Sequence, residues 1–174
     1  DAGGAIPSKS NAGLAIFAGL IGIALGARKF AGRGALVSTV NAGMGAPPVV
    51  VGLIAASLLW RSGPLGSLGL MYSQTAMILA QILIALPLII GITLAAVGSL
   101  DEEWSLQVET LGLSRGWRLW MLLREIRMGL LAALIAALGG ILSEVGAVQM
   151  VGGNLEGETR VLTTAIMMHT SMGE

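Results

Sequence analysis

The residues able to do chemistry are few and unevenly placed. Nine of the 20 charged residues fall between Asp101 and Arg127, in a chain that is only 11% charged. Glu144 is the one acid inside a long apolar run, and His169 is the one histidine. A lone carboxylate with no visible partner is a poor general acid, so an enzyme is the least favoured class. No cysteine is present, which excludes disulfides, thiolate metal sites and cysteine nucleophiles. A single histidine argues against a metal centre or a histidine-based triad, and no catalytic or metal-ligating residue is assigned. No G-x-x-x-x-G-K-[ST] loop occurs, so no nucleotide phosphate cradle is expected. Zero net charge gives a nucleic-acid partner no electrostatic support.

The elements that must position these residues are long and apolar. The 174 residues are 55% hydrophobic with a mean hydropathy of +0.83, far from the quarter-charged composition of soluble domains. The apolar residues form four blocks: Asn11–Ala27, Ala35–Trp60, Thr75–Gly98 and Met128–Val151. About 20 apolar residues cross the hydrocarbon as a helix, so the first block is short and the others suffice. Barrel strands would alternate, and these blocks do not. The expected fold class is therefore all-α, a polytopic transmembrane helical bundle. Residues 1–10 are a polar start without diagnostic features, and residues 11–174 form one transmembrane domain. Residues 161–174 are too few to span, so one more span is expected beyond Glu174.

Charge orients the spans. Lys9 precedes the first block, whereas Arg28, Lys29 and Arg33 follow it. That asymmetry opposes a signal peptide and puts the first connection inside. The 99–127 connection carries Arg115, Arg118, Arg124 and Arg127, and four alternating crossings place it inside too. The stretch Gly152–Arg160, "GGNLEGETR", then falls outside, as does His169. It is either a nest of backbone donors with one guanidinium or a plain external turn.

Several positions inside the blocks stand out. Pro47 and Pro48 interrupt the second block, either as a hinge or pathway wall or as a buried kink. Pro87 is expected only to kink the third. Gly22 and Gly26 form a G-x-x-x-G pair read as small-residue packing. Ser38, Thr39, Asn41, Gln81, Thr93 and Gln149 are candidate donors for a pathway, or hydrogen bonds between helices. Glu144 is read as a structural or gating hydrogen bond, since a bare carboxylate would repel an anion.

The charged connection has the syntax of two short helices. Ser99 and Glu102 fit a capping box, and Asp101, Glu102 and Glu103 suit a helix start. Gly112 is placed to end the first helix, and Ser114 to begin the second. Arginines on both sides of the second helix oppose a helix lying flat in the interface. A helix–turn–helix running into the fourth span is expected instead, with Trp104, Trp117 and Trp120 at the interfacial level.

The stretch "TLGLSRGWRLWMLLREIRMGLLAALIAALGGILSEVGAVQMVGGN" resembles the membrane subunit of bacterial ABC importers, nearest the tungstate permeases and their molybdate relatives. "NAGMGAPPVVVGL", "RSGPLGSLGLMYSQTAMILAQILIALPLI", "SEVGA" and "MVGGN" carry the same resemblance, which covers about Gly13 to Glu174. It implies a multi-pass permease of a bacterial or archaeal cytoplasmic membrane. Its implied partners are an ATP-binding cassette subunit, an extracytoplasmic substrate-binding protein and a second permease copy. No cofactor is expected on this chain, ATP and magnesium belonging to the ATPase subunit. Docking to that subunit would fall on Leu106, Gln107, Val108, Glu109, Thr110, Leu111, Gly112, Leu113 and Ser114, with Gly112 as the motif glycine. The chain departs from the family's E-A-A pattern: Leu106 stands for the glutamate, and Gln107 and Val108 for the alanines. Arg124-Glu125 replaces Leu-Pro, as the tungstate branch would have it. Hinge or pathway candidates are Asn41, Pro47, Pro48, Gln81 and Glu144. The implied cargo is tungstate or molybdate. The alternatives are sulfate, phosphate or another small solute, or a motor-free channel.

Overall fold

The computed structural model describes residues 8–27 and 30–172, without the side chains of residues 8–12, 102 and 163. Arg28 and Lys29, two of the three basic residues of the first connection, lie outside the described residues. So does the Lys9 side chain.

All regular structure among the described residues is helical: α1 (Ser8–Ala27), α2 (Arg33–Gly45), α3 (Pro48–Leu59), a 3-10 turn (Gly66–Leu68), α4 (Gln74–Gly98), α5 (Glu102–Thr110), α6 (Arg115–Glu125), α7 (Arg127–Ser143), α8 (Gly146–Gly152) and α9 (Leu162–Met172). Among them, α4 alone is long and apolar enough to cross a membrane unbroken. Pro87 lies inside this helix.

The second apolar block is two helices rather than one. α2 and α3 differ in direction by 107°. Pro47 takes φ −58° and ψ 129° at the N-cap, and Pro48 stands in the first turn of α3. A residue before proline is pushed out of the helical region, and proline itself lacks an amide to donate. The fourth block also divides, at Glu144 and Val145, between α7 and α8.

The chain forms two compact units. The first combines the segment up to Asn41 with Leu86–Ala136. Its core gathers Ile23, Val97, Leu122 and Ile126, with Ala96, Leu100, Trp104, Leu123 and Leu130 packed on them. Gly22 and Gly26 bring α1 onto α4. A Cβ at Gly22 would stand 2.8 Å from the Ile90 carbonyl oxygen, and one at Gly26 2.7 Å from Val97 Cβ. The G-x-x-x-G spacing thus serves packing inside the chain.

The second unit combines Ala42–Ala85 with the chain from Ala137. Ala55, Leu59, Ala76, Met77, Ala80, Val148 and Val151 form its core. α3 crosses α8 at Gly52, where a Cβ would stand 2.5 Å from Ala147.

Gly26→Leu is expected to lower stability in detergent by about 1–3 kcal/mol, because overpacking forces neighbours to shift. Gly13→Leu on the same helix, where nothing lies within 4 Å, is the control and should change it little. Thermal unfolding of the two variants checks the difference.

Candidate functional site

The charged connection lies in the first unit and is built as a helix, a glycine turn and a second helix. α4 ends with Ser99 still in its last turn, the Ser99 amide donating to the Ala95 carbonyl at 3.0 Å. The expected capping box is therefore not formed by Ser99. Its hydroxyl donates backward to the Ala96 carbonyl at 2.9 Å, supplying an end-of-helix acceptor with a partner. Asp101 is the N-cap residue of α5, with no side-chain capping bond. The Glu102 side chain lies outside the described residues.

Gly112 ends this element as the sequence requires. Its φ is +61°, the left-handed region that glycine enters freely. Its amide donates to the Glu109 carbonyl at 3.2 Å. Ser114 takes the N-cap position of α6, extended at φ −62° and ψ 157°. Its carbonyl accepts the Arg118 amide at 3.0 Å, while its hydroxyl makes no capping bond.

Exposure sorts the nine docking candidates. Leu106 and Leu111 are 61% and 60% exposed, large apolar side chains left uncovered beside the turn. Gln107, Glu109, Thr110, Gly112 and Ser114 are exposed, and Leu113 is half-buried. Val108 is 5% exposed and so is not offered at the surface, and Trp104 of the same helix packs on the core of the first unit. Thr110 Oγ1 donates to the Gln107 carbonyl at 2.8 Å, tightening the last turn.

α6 does not continue straight into α7. The two differ by 64° at Ile126, which is buried with Ile23, Val97 and Leu122. On the α6 side of this joint, Trp117 and Trp120 meet edge to face with centroids 5.3 Å apart. The Arg124 guanidinium lies 5.4 Å from the Trp120 ring centroid.

A second arrangement lies in the other unit. Glu144 is 8% exposed at the break before α8. Its Oε1 accepts the Ala147 amide at 2.6 Å, capping α8 from the side chain. Gly146 leaves room there, since a Cβ would stand 3.3 Å from Glu144 Oε1 and 3.3 Å from Val49 Cγ2. The helix that Pro48 starts is thus packed on the helix that Glu144 caps. Pro47 is exposed and Pro48 half-buried. Asn41 belongs to the first unit and is exposed; Gln81 is half-buried on α4.

The other donor candidates are dispersed. Ser38, Thr39 and Gln149 are exposed, and Thr39 Oγ1 donates to the Ala35 carbonyl. Thr93 is fully buried, its hydroxyl without a partner among the described residues.

"GGNLEGETR" is a self-held turn. Gly153, Asn154 and Gly157 have positive φ. Thr159 is 2% exposed; its hydroxyl donates to the Gly152 carbonyl at 2.5 Å and accepts the Leu155 amide at 2.8 Å. Arg160 pairs with exposed Glu156 at 3.4 Å. Gln74 Nε2 donates to the Glu158 carbonyl at 3.0 Å, and the Tyr72 amide to the Val151 carbonyl at 2.8 Å. Sequence reasoning missed Thr159 and Tyr72. Nothing in a polar turn marks one hydroxyl as its buried tie, and Tyr72 at φ +63° is unusual for a bulky residue. His169 is exposed near the end of α9.

Residues 18–172 match the family described as the binding-protein-dependent transport system inner membrane component. A probable anion ABC transporter permease protein of Haloferax volcanii is 40% identical over 172 residues, covering 94% of this chain and 74% of that one. A tungstate uptake system permease protein of Peptoclostridium acidaminophilum is 41% identical over 131 residues, covering 75% of this chain and 58% of that one. A sulfate transport system permease protein of Escherichia coli K12 is 30% identical over 148 residues, covering 79% of this chain and 50% of that one. The chain thus spans just over half of the tungstate relative and half of the sulfate relative. With a family match running nearly end to end and helices throughout the described residues, the chain belongs to the inner membrane components of binding-protein-dependent transport systems.

Proposed function

We propose that this chain is a multi-pass permease subunit of an ABC importer, and that its cargo is an oxyanion, tungstate or its molybdate relative. The observation that carries the reading is the 40–41% identity to an anion permease and a tungstate permease. Sulfate is the second reading, favoured by the more distant sulfate permeases at 27–30% identity. The energy comes from ATP and magnesium held by a separate ATPase subunit, and no catalytic step is assigned to this chain. An extracytoplasmic binding protein delivers the anion, and a second permease copy completes the pathway.

Leu106 and Leu111 offer apolar contact to the ATPase subunit beside the Gly112 turn, and Trp104 packs α5 on the core of the first unit. Movement of the ATPase pair would reach α4 and α7 through the Val97–Leu122–Ile126 core. In the pathway, an anion is better served by hydrogen-bond donors than by fixed charge that would hold it. Glu144 is turned to the Ala147 amide, so it shapes the wall of the pathway rather than binding the cargo.

ATP-dependent uptake into vesicles carrying permease, ATPase and binding protein tests the reading. Labelled tungstate should accumulate and excess sulfate should compete weakly; accumulation of sulfate but not tungstate would move the assignment to sulfate. A bulky insertion at Gly112 should leave membrane insertion intact while ATP hydrolysis no longer drives uptake; unchanged uptake would contradict the docking role. Glu144→Gln keeps an oxygen for the Ala147 amide. Glu144→Leu leaves that amide without its partner, at about 1–3 kcal/mol. Uptake should therefore fall less in Glu144→Gln than in Glu144→Leu, and equal loss in both would contradict the capping role.

A further inference from the structure

α6 carries a compact face that its own unit leaves uncovered. Trp117 is 58% exposed and Trp120 49%, and the two rings sit edge to face. Arg124 lies over the Trp120 ring. At 100° per residue these three share one side of the helix, while buried Leu122 points the opposite way. No carboxylate falls on that face. Arg118 points elsewhere and is engaged by the Leu113 carbonyl, to which its Nε donates at 2.9 Å. None of Arg115, Arg118, Arg124 and Arg127 forms an ion pair among the described residues.

This face has the chemistry of a bilayer boundary. Tryptophan has an apolar body and a polar N–H, and it collects at the level of lipid headgroups. A guanidinium presents paired donors that match phosphate oxygens. Stacking on Trp120 holds Arg124 at the same level as the rings, so little side-chain freedom remains to be lost on binding. The 64° turn at Ile126 directs α6 away from the axis of α7. If α7 crosses the bilayer, α6 lies closer to the membrane plane than to its normal. Arginines on both sides of the helix had argued against such a position; the stacked pair and the tethered Arg118 remove that objection.

We propose that the Trp117–Trp120–Arg124 face is a binding surface for anionic phospholipid headgroups of the inner leaflet. It rests on the permease reading only in placing α6 at the membrane. The lipid fixes the joint between α6 and α7, and so the level at which the docking element leaves the bilayer.

The test uses the full permease, first alone and then with a tryptophan-free form of its ATPase subunit, with Trp60 and Trp104 replaced by phenylalanine so that only Trp117 and Trp120 report. Nanodiscs contain phosphatidylcholine and phosphatidylglycerol in equal amounts, with brominated acyl chains on one lipid at a time. Quenching should be stronger when phosphatidylglycerol carries the bromine. Arg124→Gln should equalise the two, Arg124→Lys should keep part of the preference, and Arg118→Gln should keep all of it. Equal quenching in the parent protein would overturn the proposal while leaving α6 at the membrane. Loss of quenching when the ATPase subunit is added to the permease would also overturn it, assigning the face to that subunit. Absence of quenching by either lipid would contradict the placement of α6 at the membrane as well. Tungstate uptake in the same variants reads the transport assignment separately.

Discussion

Every interruption of an apolar helix leaves backbone donors or acceptors that need a partner, and in a bilayer water is not there to supply one. At three helix ends among the described residues a substitute is at hand or none is needed. Ser99 returns its hydroxyl to the Ala96 carbonyl at the end of α4. Pro48, with no amide to satisfy, opens α3. Glu144 supplies a carboxylate oxygen to the Ala147 amide at the head of α8. These substitutes let the chain bend at 107° in one apolar block and break in another, and they decide where the elements of each unit stand.

Close approach is the second constraint. Without glycine at positions 22 and 26, α1 could not lie against Thr93 and Val97 of α4, and without Gly52, α3 could not reach Ala147. The resulting core of the first unit includes Leu122 and Ile126 from the charged connection. The charged connection is therefore not an appended loop. It is packed on the same residues that hold the long helices of the first unit, so a displacement of α6 would be felt by α1 and α4.

Much of this was legible in the sequence. Continuous apolar blocks meant helices, Gly112 meant a left-handed turn, and the paired prolines marked a break. The departures have particular causes. The Ser99–Glu102 spacing fits a capping box, but competition from the Ala96 carbonyl is set by how far α4 extends, which spacing does not reveal. Met128–Val151 reads as one apolar run because a buried glutamate cap looks, in sequence, like an isolated intramembrane acid. The helix end, glycine turn and helix start across 106–114 were legible, yet the burial of Val108 and the exposure of Leu106 and Leu111 depend on the packing of α5 against its own unit. Trp117 and Trp120 were read from the sequence as suited to an interfacial level, but their contact with each other and with Arg124 was not legible there.

The central claim is that the α5–Gly112 turn meets the motor subunit through its uncovered leucines. The chain contains no cysteine, so single-cysteine variants can be read without background. Disulfide or short-linker crosslinking of Leu106→Cys, Leu111→Cys and Val108→Cys to a cysteine in the cleft of the ATPase subunit measures the contact directly. Crosslinks at positions 106 and 111, with little at 108, are predicted. Crosslinking at 108 alone, or none at 106 and 111 in an assembled complex, would contradict the account.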